Sequence, residues 1–276
     1  MSKYRFACTE WGMPGNGSYS VRIAAEAGLD GLQIEIGKYE DGYPLAQKSV
    51  REGYMEDAKR YGIEFPNVTV NDVGTYEFVN GRNTPNGRIA YEAFDIAIEC
   101  AAEMGIDMVL IPNFFDNFIT KPEHYDNVAE ALQYCCDKGK RYGITIAHET
   151  PLLWKDHKKI FDKVNRENIG VFYDSMNYKF WINADPMQVL KDVYPYMVNQ
   201  LHFKDGVTEM STALLGEGSM EFAEQAKFIK ESDYSGWIIT ENFYSHLPIR
   251  GSSTADQIAL LKKDLRTMKA ALGANE

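Results

Sequence analysis

Short apolar runs alternate with longer amphipathic segments along the whole chain. Each run has the length and near-continuous apolar character of a buried parallel strand. Each intervening segment repeats apolar residues at helical spacing, as in residues 91–101 and 128–135. The runs occupy residues 4–10, 31–37, 63–70, 107–113, 144–149, 169–174, 198–204 and 237–242. Eight strand and helix units in alternation predict an α/β protein whose parallel sheet is covered by helices.

Glycines mark several of the predicted joints between helix and strand. Gly62 and Gly143 each stand just before an apolar run, where a left-handed glycine commonly ends a helix. Closure of eight units into a (β/α)8 TIM barrel is the simplest arrangement. An open doubly wound sheet is the rival, but no G-x-G-x-x-G turn follows the first run. No linker-like tract divides the chain, so we expect a single domain over residues 1–276.

The charge balance narrows the choice of partners. The 276 residues carry 40 acidic and 29 basic side chains, and the net charge of −11 repels the phosphates of nucleic acids. No run approaches the ~18 apolar residues of a membrane span, and the first residues lack a signal-peptide pattern. We therefore expect a cytoplasmic protein with neither a nucleic-acid nor a membrane partner. The four cysteines lack C-x-x-C spacing and are expected to be buried free thiols.

Four of the later predicted strands end in residues that commonly bind metals. These residues are Glu149, Asp174, His202 and Glu241. In a barrel, the carboxyl ends of the strands form the active-site face, so the four side chains are expected to converge. Three clustered carboxylates need a cation, and oxygen-rich ligation with one imidazole suits Mn²⁺ first. Mg²⁺, Co²⁺ and Zn²⁺ are the alternatives, and the coordination shell would leave room for two substrate oxygens.

Further residues near the predicted strand ends are candidates for binding substrate. They are Trp11, Glu35, Lys204, Glu217 and His246. For Lys204 the alternative is an ion pair with Asp205 or with another acid at the barrel mouth. Strand alternation is expected to turn His148 away from the metal and into the packing. We expect His124 and His157, which lie in helical segments, at the surface.

Five motifs give the chain a resemblance to a known family. They are "HET" at 148–150, "YDSMN" at 173–177, "LHFKD" at 201–205, "LLGEG" at 214–218 and "GWIITEN" at 236–242. Over nearly its whole length the sequence resembles the xylose-isomerase-like TIM barrels, a superfamily of sugar phosphate isomerases and epimerases that includes ketose 3-epimerases. The resemblance implies the same four metal ligands, with Glu149 and Glu241 also serving as the acid/base pair.

The resemblance further implies a metal-dependent sugar or keto-sugar isomerase or epimerase that acts on a small molecule. The enzyme would remove a proton next to a carbonyl through an enediolate that the metal stabilises. The same intermediate can expel a β-leaving group, so the alternative is a lyase. Such a lyase would be an inosose or dehydroshikimate-type dehydratase, or would eliminate the aglycone of a 3-keto-glycoside. A homo-oligomer or a partner subunit stays open.

The substrate-binding positions depart from the ketose 3-epimerase pattern. Asn177 stands where those enzymes have a substrate-binding histidine, Lys155 replaces a glutamate, and Thr208 replaces an arginine. The four predicted metal ligands are thus retained, whereas these three substrate-binding residues of the ketose 3-epimerases are not. We therefore expect Asn177 to contact a substrate other than a free ketohexose.

Overall fold

The strands form a closed parallel barrel in the computed structural model, which describes residues 3–13, 15 and 17–274. The strands follow one another around the barrel in chain order. They are β1 (Tyr4–Thr9), β2 (Gly31–Glu35), β3 (Val68–Thr69), β4 (Met108–Pro112), β5 (Thr145–Glu149), β6 (Ile169–Asp174), β7 (Met197–Phe203) and β8 (Gly236–Thr240). This architecture confirms the predicted (β/α)8 TIM barrel.

Helices follow the strands, as the amphipathic segments predict. Those in the described residues are α1 (Tyr19–Ala27), α2 (Lys48–Tyr61), α3 (Pro85–Met104), α4 (Pro122–Lys140), α5 (Trp154–Val164), α6 (Asn177–Ile182), α7 (Pro186–Val193), α8 (Phe222–Glu231) and α9 (Thr254–Leu272). None of them is both long and apolar enough to span a membrane.

Local sequence signals fix the ends of α3. The Thr84 hydroxyl accepts a hydrogen bond from the Gly87 N–H, and Pro85 occupies the first turn, where a missing N–H does no harm. Gly105, with φ of 70°, ends the helix in the left-handed conformation that glycine adopts readily. The start and the stop of this helix are therefore both encoded in its own residues.

The chain divides into two compact parts. One comprises residues up to 33, residues 53–66 and residues from 173 onward, and it contains β1, β7 and β8. The other comprises residues 34–52 and 67–172, with β3, β4 and β5. The expectation of a single domain over residues 1–276 stays a prediction.

The third predicted strand is much shorter than its apolar run. The run covers residues 63–70, but β3 contains Val68 and Thr69 alone. Pro66 interrupts the run, because proline has no N–H to donate and restricts the residue before it. Glu64 still makes an isolated parallel bridge with Gly31. The prediction of a continuous strand was therefore wrong at this place.

Two helical histidines that were expected at the surface are buried. His124 is 5% exposed and His157 is 0% exposed. His157 Nε2 lies 2.8 Å from Nδ1 of His148, and burial lowers the pKa of His157 to about 3. His148, whose second ring nitrogen lies 3.2 Å from Asn113 Oδ1, is packed as predicted. The expected surface positions were wrong because these rings find partners in the interior.

Candidate active site

The ends of β6, β7 and β8 bring three of the predicted metal ligands together. Asp174 is the last residue of β6, His202 lies near the end of β7, and Glu241 directly follows β8. The Glu241 N–H donates to Phe203 O at 3.1 Å, and this hydrogen bond holds Glu241 next to the end of β7. Nδ1 of His202 lies 3.6 Å from Asp174 Oδ2 and 3.4 Å from Glu241 Oε2.

The two carboxylate oxygens of Asp174 have different surroundings. The side chain is 0% exposed, and Oδ1 accepts the N–H groups of Met176 and Asn177 at 2.8 and 2.7 Å. Oδ2 accepts no hydrogen bond from the described residues, although Lys204 Nζ lies 3.1 Å from it. A buried carboxylate oxygen is costly unless a positive charge or a donor compensates it, and here the Lys204 ammonium supplies the charge that a bound cation could supply instead.

Gln33 sets the orientation of the His202 ring. The ring nitrogen Nε2 lies 2.7 Å from Gln33 Oε1, and both side chains are buried. A carboxamide oxygen is an acceptor, so in a neutral ring Nε2 carries the hydrogen and Nδ1 keeps its lone pair. That lone pair is directed toward the carboxylates of Asp174 and Glu241. A hydrogen bond on the far ring nitrogen is the arrangement that orients a metal-binding histidine.

Glu241 is held by a lysine and a tryptophan. Its Oε2 lies 2.5 Å from Lys204 Nζ, and its Oε1 accepts the indole N–H of Trp11 at 2.8 Å. Burial raises the pKa of the Glu241 carboxyl, but the positive charge of Lys204 and the adjacent His202 ring outweigh this effect and hold the pKa well below its usual range. Glu241 is therefore ionised at neutral pH.

Asp205 holds the segment that follows β7. Its Oδ1 accepts the N–H groups of Gly206 and Met220, and its Oδ2 accepts those of Gly216 and Gly218. Asp205 thus organises the backbone of the "LLGEG" motif. Of the two ion pairs considered for Lys204, the structure shows the one with other acids rather than with Asp205. The sequence signal for this role was the pair of glycines downstream, which allows backbone N–H groups to approach one carboxylate closely.

Glu149, the fourth predicted ligand, belongs to the other compact part of the chain. It is the last residue of β5 and is buried. In the part that contains β7 and β8, the carboxylates of Asp174 and Glu241 and the His202 imidazole lie together. A set of two carboxylates and one imidazole fits a divalent ion with mixed oxygen and nitrogen ligands.

The candidate substrate-binding residues have diverse surroundings. Glu35 is mostly buried and accepts a hydrogen bond from Asn71 at 2.8 Å, and burial raises the pKa of its carboxyl. Asn177 is buried next to Asp174. Glu217 faces Lys263 at 2.6 Å, and its side chain is 53% exposed. His246 is exposed, with its ring 5.1 Å from that of Phe243. Their contacts with substrate stay predictions.

The comparisons with known proteins agree with this geometry. A family model described as the xylose isomerase-like TIM barrel matches residues 21–271. A 2-epi-5-epi-valiolone 7-phosphate 2-epimerase from Actinoplanes sp. is 24% identical over 219 residues, covering 78% of this chain and 77% of the relative. These similarities link the chain to sugar epimerases.

Two solved structures show the same fold. The IolI protein with a bound zinc atom has a TM-score of 0.77 at 16% identity, with 98% of each chain covered. The D-psicose 3-epimerase of Clostridium cellulolyticum H10, solved with D-tagatose, has a TM-score of 0.76 at 13% identity, covering 97% of this chain and 99% of the other. The family match over residues 21–271 shows that this chain belongs to the xylose isomerase-like TIM barrel family.

Proposed function

We propose that this protein is a divalent-metal-dependent sugar or keto-sugar epimerase or isomerase. The observation that carries the proposal is the cluster at the strand ends, where Asp174 Oδ2 and Glu241 Oε2 lie 3.6 and 3.4 Å from His202 Nδ1. Glu149, Asp174, His202 and Glu241 would hold the metal.

The donor set guides the choice of metal. Three carboxylates and one imidazole favour Mn²⁺ over the thiolate or multi-histidine sets that mark many zinc sites. Mg²⁺, Co²⁺ and Zn²⁺ remain the alternatives, and the similar IolI structure was solved with zinc. A bound divalent ion would polarise a substrate carbonyl and lower the energy of the enediolate charge.

The two glutamates supply the proton transfers in our proposal. Glu149 and Glu241 flank the substrate; one removes a proton from the carbon next to the carbonyl, and the other returns a proton to the opposite face. The carbon is inverted and the molecular formula is unchanged. Trp11 orients Glu241 through its indole N–H, and the carboxyl is already ionised before a metal binds, which is the form that accepts a proton.

The substrate belongs to the keto-sugars or their close derivatives. The names of the relatives support this class, since one is a 2-epimerase of a 7-phosphate and another is a ketose 3-epimerase. The site offers Lys204 for a negatively polarised substrate oxygen and Asn177 for a hydroxyl. Trp11, Glu35, Glu217 and His246 are further proposed contacts. We also propose, from the sequence, that the protein acts in the cytoplasm.

Turnover in D₂O with Mn²⁺ and a panel of keto-sugars tests the proposal. The expected product keeps the formula of the substrate and gains one deuterium at the inverted carbon. Glu149→Gln and Glu241→Gln should each lower kcat at least ~100-fold, which is the usual contribution of a general base. Glu224→Gln, on the exposed face of α8, is the matched control and should keep wild-type turnover.

Two results would argue against the proposal. If both glutamine variants turn over like the wild type, the glutamates are not the acid/base pair. A product that has lost water or an aglycone would instead identify the lyase alternative on the same scaffold.

A further inference from the structure

Lys204 places a positive charge inside the proposed metal site. Its side chain is 5% exposed, and Nζ lies 2.5 Å from Glu241 Oε2 and 3.1 Å from Asp174 Oδ2. The Asp174 side chain is fully buried and that of Glu241 is 13% exposed. A buried ammonium between two carboxylates is a strong electrostatic contact, because little water screens it.

The backbone around Lys204 is fixed on both sides. Its N–H donates to Ser175 Oγ at 2.9 Å, and the same hydroxyl donates to its carbonyl oxygen at 2.9 Å. The next residue, Asp205, is already engaged by four backbone N–H groups. The backbone of Lys204 is therefore held in place beside the strand ends, and its side chain, which is 5% exposed, extends from there to Asp174 and Glu241.

The oxygens that contact Lys204 are those that face His202 Nδ1. Asp174 Oδ2 and Glu241 Oε2 each lie within 3.6 Å of that nitrogen. A divalent ion held by the same two oxygens and the imidazole would lie within a few ångströms of the ammonium. Two cations at that separation repel each other strongly, even in a partly screened environment.

We propose that the Lys204 ammonium competes with the metal for the oxygens of Asp174 and Glu241. It must therefore leave these oxygens when a divalent ion binds. This inference rests on the proposed function, since it assumes that these residues are metal ligands. Lys204 thereby weakens metal binding and stabilises the carboxylates when the metal is absent. Its released ammonium is then available to a substrate oxygen.

Calorimetric titration of EDTA-stripped protein with MnCl₂ tests this inference. Lys204→Met should bind Mn²⁺ at least ~10-fold more tightly than the wild type, because a competing charge is gone. The stripped variant should also melt at a lower temperature, and Mn²⁺ should raise its Tm by more than that of the wild type. Lys204→Arg, which keeps the charge, should stay within ~3-fold of the wild-type Kd.

Lys138→Met is the matched control. Lys138 also lies between two carboxylates, those of Asp95 and Glu99 at 2.6 and 2.7 Å, but on α3 and α4 rather than at the strand ends. Its loss should leave the Mn²⁺ affinity unchanged. If Lys204→Met does not fold, Lys204→Gln provides the same test with a polar side chain.

The outcomes separate this inference from the proposed function. If the wild type binds Mn²⁺ and the neutral Lys204 variants bind it equally or more weakly, Lys204 does not compete with the metal. The proposed metal-dependent function is not affected by that result. If neither the wild type nor the Lys204 variants bind Mn²⁺, Co²⁺, Mg²⁺ or Zn²⁺, both ideas fail. Binding by the neutral variants alone would support Lys204 as the competitor.

Discussion

Replacement of Asp205 by asparagine should loosen the segment after β7. In the wild type, Oδ1 accepts two backbone N–H groups, from Gly206 at 2.9 Å and Met220 at 3.2 Å. Oδ2 accepts two more, from Gly216 at 2.9 Å and Gly218 at 3.2 Å. Asparagine keeps one oxygen and presents an NH₂ group in place of the other, so two donors would face a donor.

The expected loss follows from these contacts. A hydrogen bond to a charged group contributes about 1.5–3 kcal/mol, so two lost bonds give about 3–6 kcal/mol. Gly216 is exposed and Gly218 is partly exposed, so water can hydrate the released amides. We therefore expect the lower end, about 3 kcal/mol in the free energy of unfolding.

Urea unfolding and amide hydrogen exchange measure the two sides of this prediction. The unfolding free energy of Asp205→Asn should fall by about 3 kcal/mol, and exchange at Gly216 and Gly218 should accelerate by about 100-fold if local opening carries that energy. Asp185→Asn is the control, because at the start of α7 a single oxygen, Oδ1, accepts both N–H groups. Asparagine keeps that oxygen and caps equally well.

A loss below about 1 kcal/mol, or a similar loss in the two asparagine variants, would contradict the expected role of the Asp205 carboxylate. A small loss would mean that the segment after β7 does not depend on the carboxylate. A similar loss at Asp185 would mean that the second oxygen makes no difference.

Three further predictions concern residues around the site. Burial raises the pKa of Asp264 from 3.8 to about 6, so its carboxyl should stabilise the fold by about 1.4 kcal/mol more at pH 5 than at pH 7.5. Asp264→Asn should remove this difference in urea unfolding. If the difference between the two pH values remains in the variant, Asp264 is not its source. Gln33→Leu removes the acceptor for His202 Nε2–H and should weaken Mn²⁺ binding by about 10–100-fold in calorimetry, whereas an unchanged Kd would dismiss the orienting role. Trp11→Phe deletes the N–H bonded to Glu241 and should lower kcat/KM by about 10-fold with little change in Tm; an unchanged kcat/KM would show that this hydrogen bond is dispensable.

The surroundings of Asp264 explain why its carboxyl stabilises the fold more at low pH than at high pH. Desolvation raises the pKa, and the hydrogen bonds from Asn242, Tyr244 and the Leu215 N–H offset only part of that effect. The folded state therefore binds a proton more tightly than the unfolded chain. Stability from this group is present at low pH and is lost as the pH rises through about 6.

The barrel and the convergence of its strand ends could be predicted from sequence because both follow from simple periodic rules. Asp174 and His202 end successive strands, and parallel strands in a closed barrel bring such ends to one face. The length of β3 was overpredicted because the prediction followed the apolar residues and gave too little weight to Pro66. A proline has no N–H to donate to a neighbouring strand, and hydrogen bonding decides where a strand can form.

Roles that depend on a distant partner were not predictable in the same way. Gln33 is one polar residue in an apolar run until β2 and β7 bring it to His202, 169 positions away. Asp205 was considered as the neighbour of Lys204, but adjacent residues of an extended chain point to opposite sides. Its actual partners are backbone amides up to 15 residues downstream, and the glycine pair of "LLGEG" indicates a close approach of the backbone without naming the residue that is approached.

The proposed reaction requires one divalent ion held by the strand-end carboxylates and His202. The most direct measurement is a crystal structure of the Mn²⁺-loaded protein with anomalous scattering at the manganese edge. We predict one strong peak about 2.0–2.3 Å from oxygens of Glu149, Asp174 and Glu241 and from His202 Nδ1. A manganese peak elsewhere, or none at these residues with Lys204 still on the oxygens of Asp174 and Glu241, would contradict it.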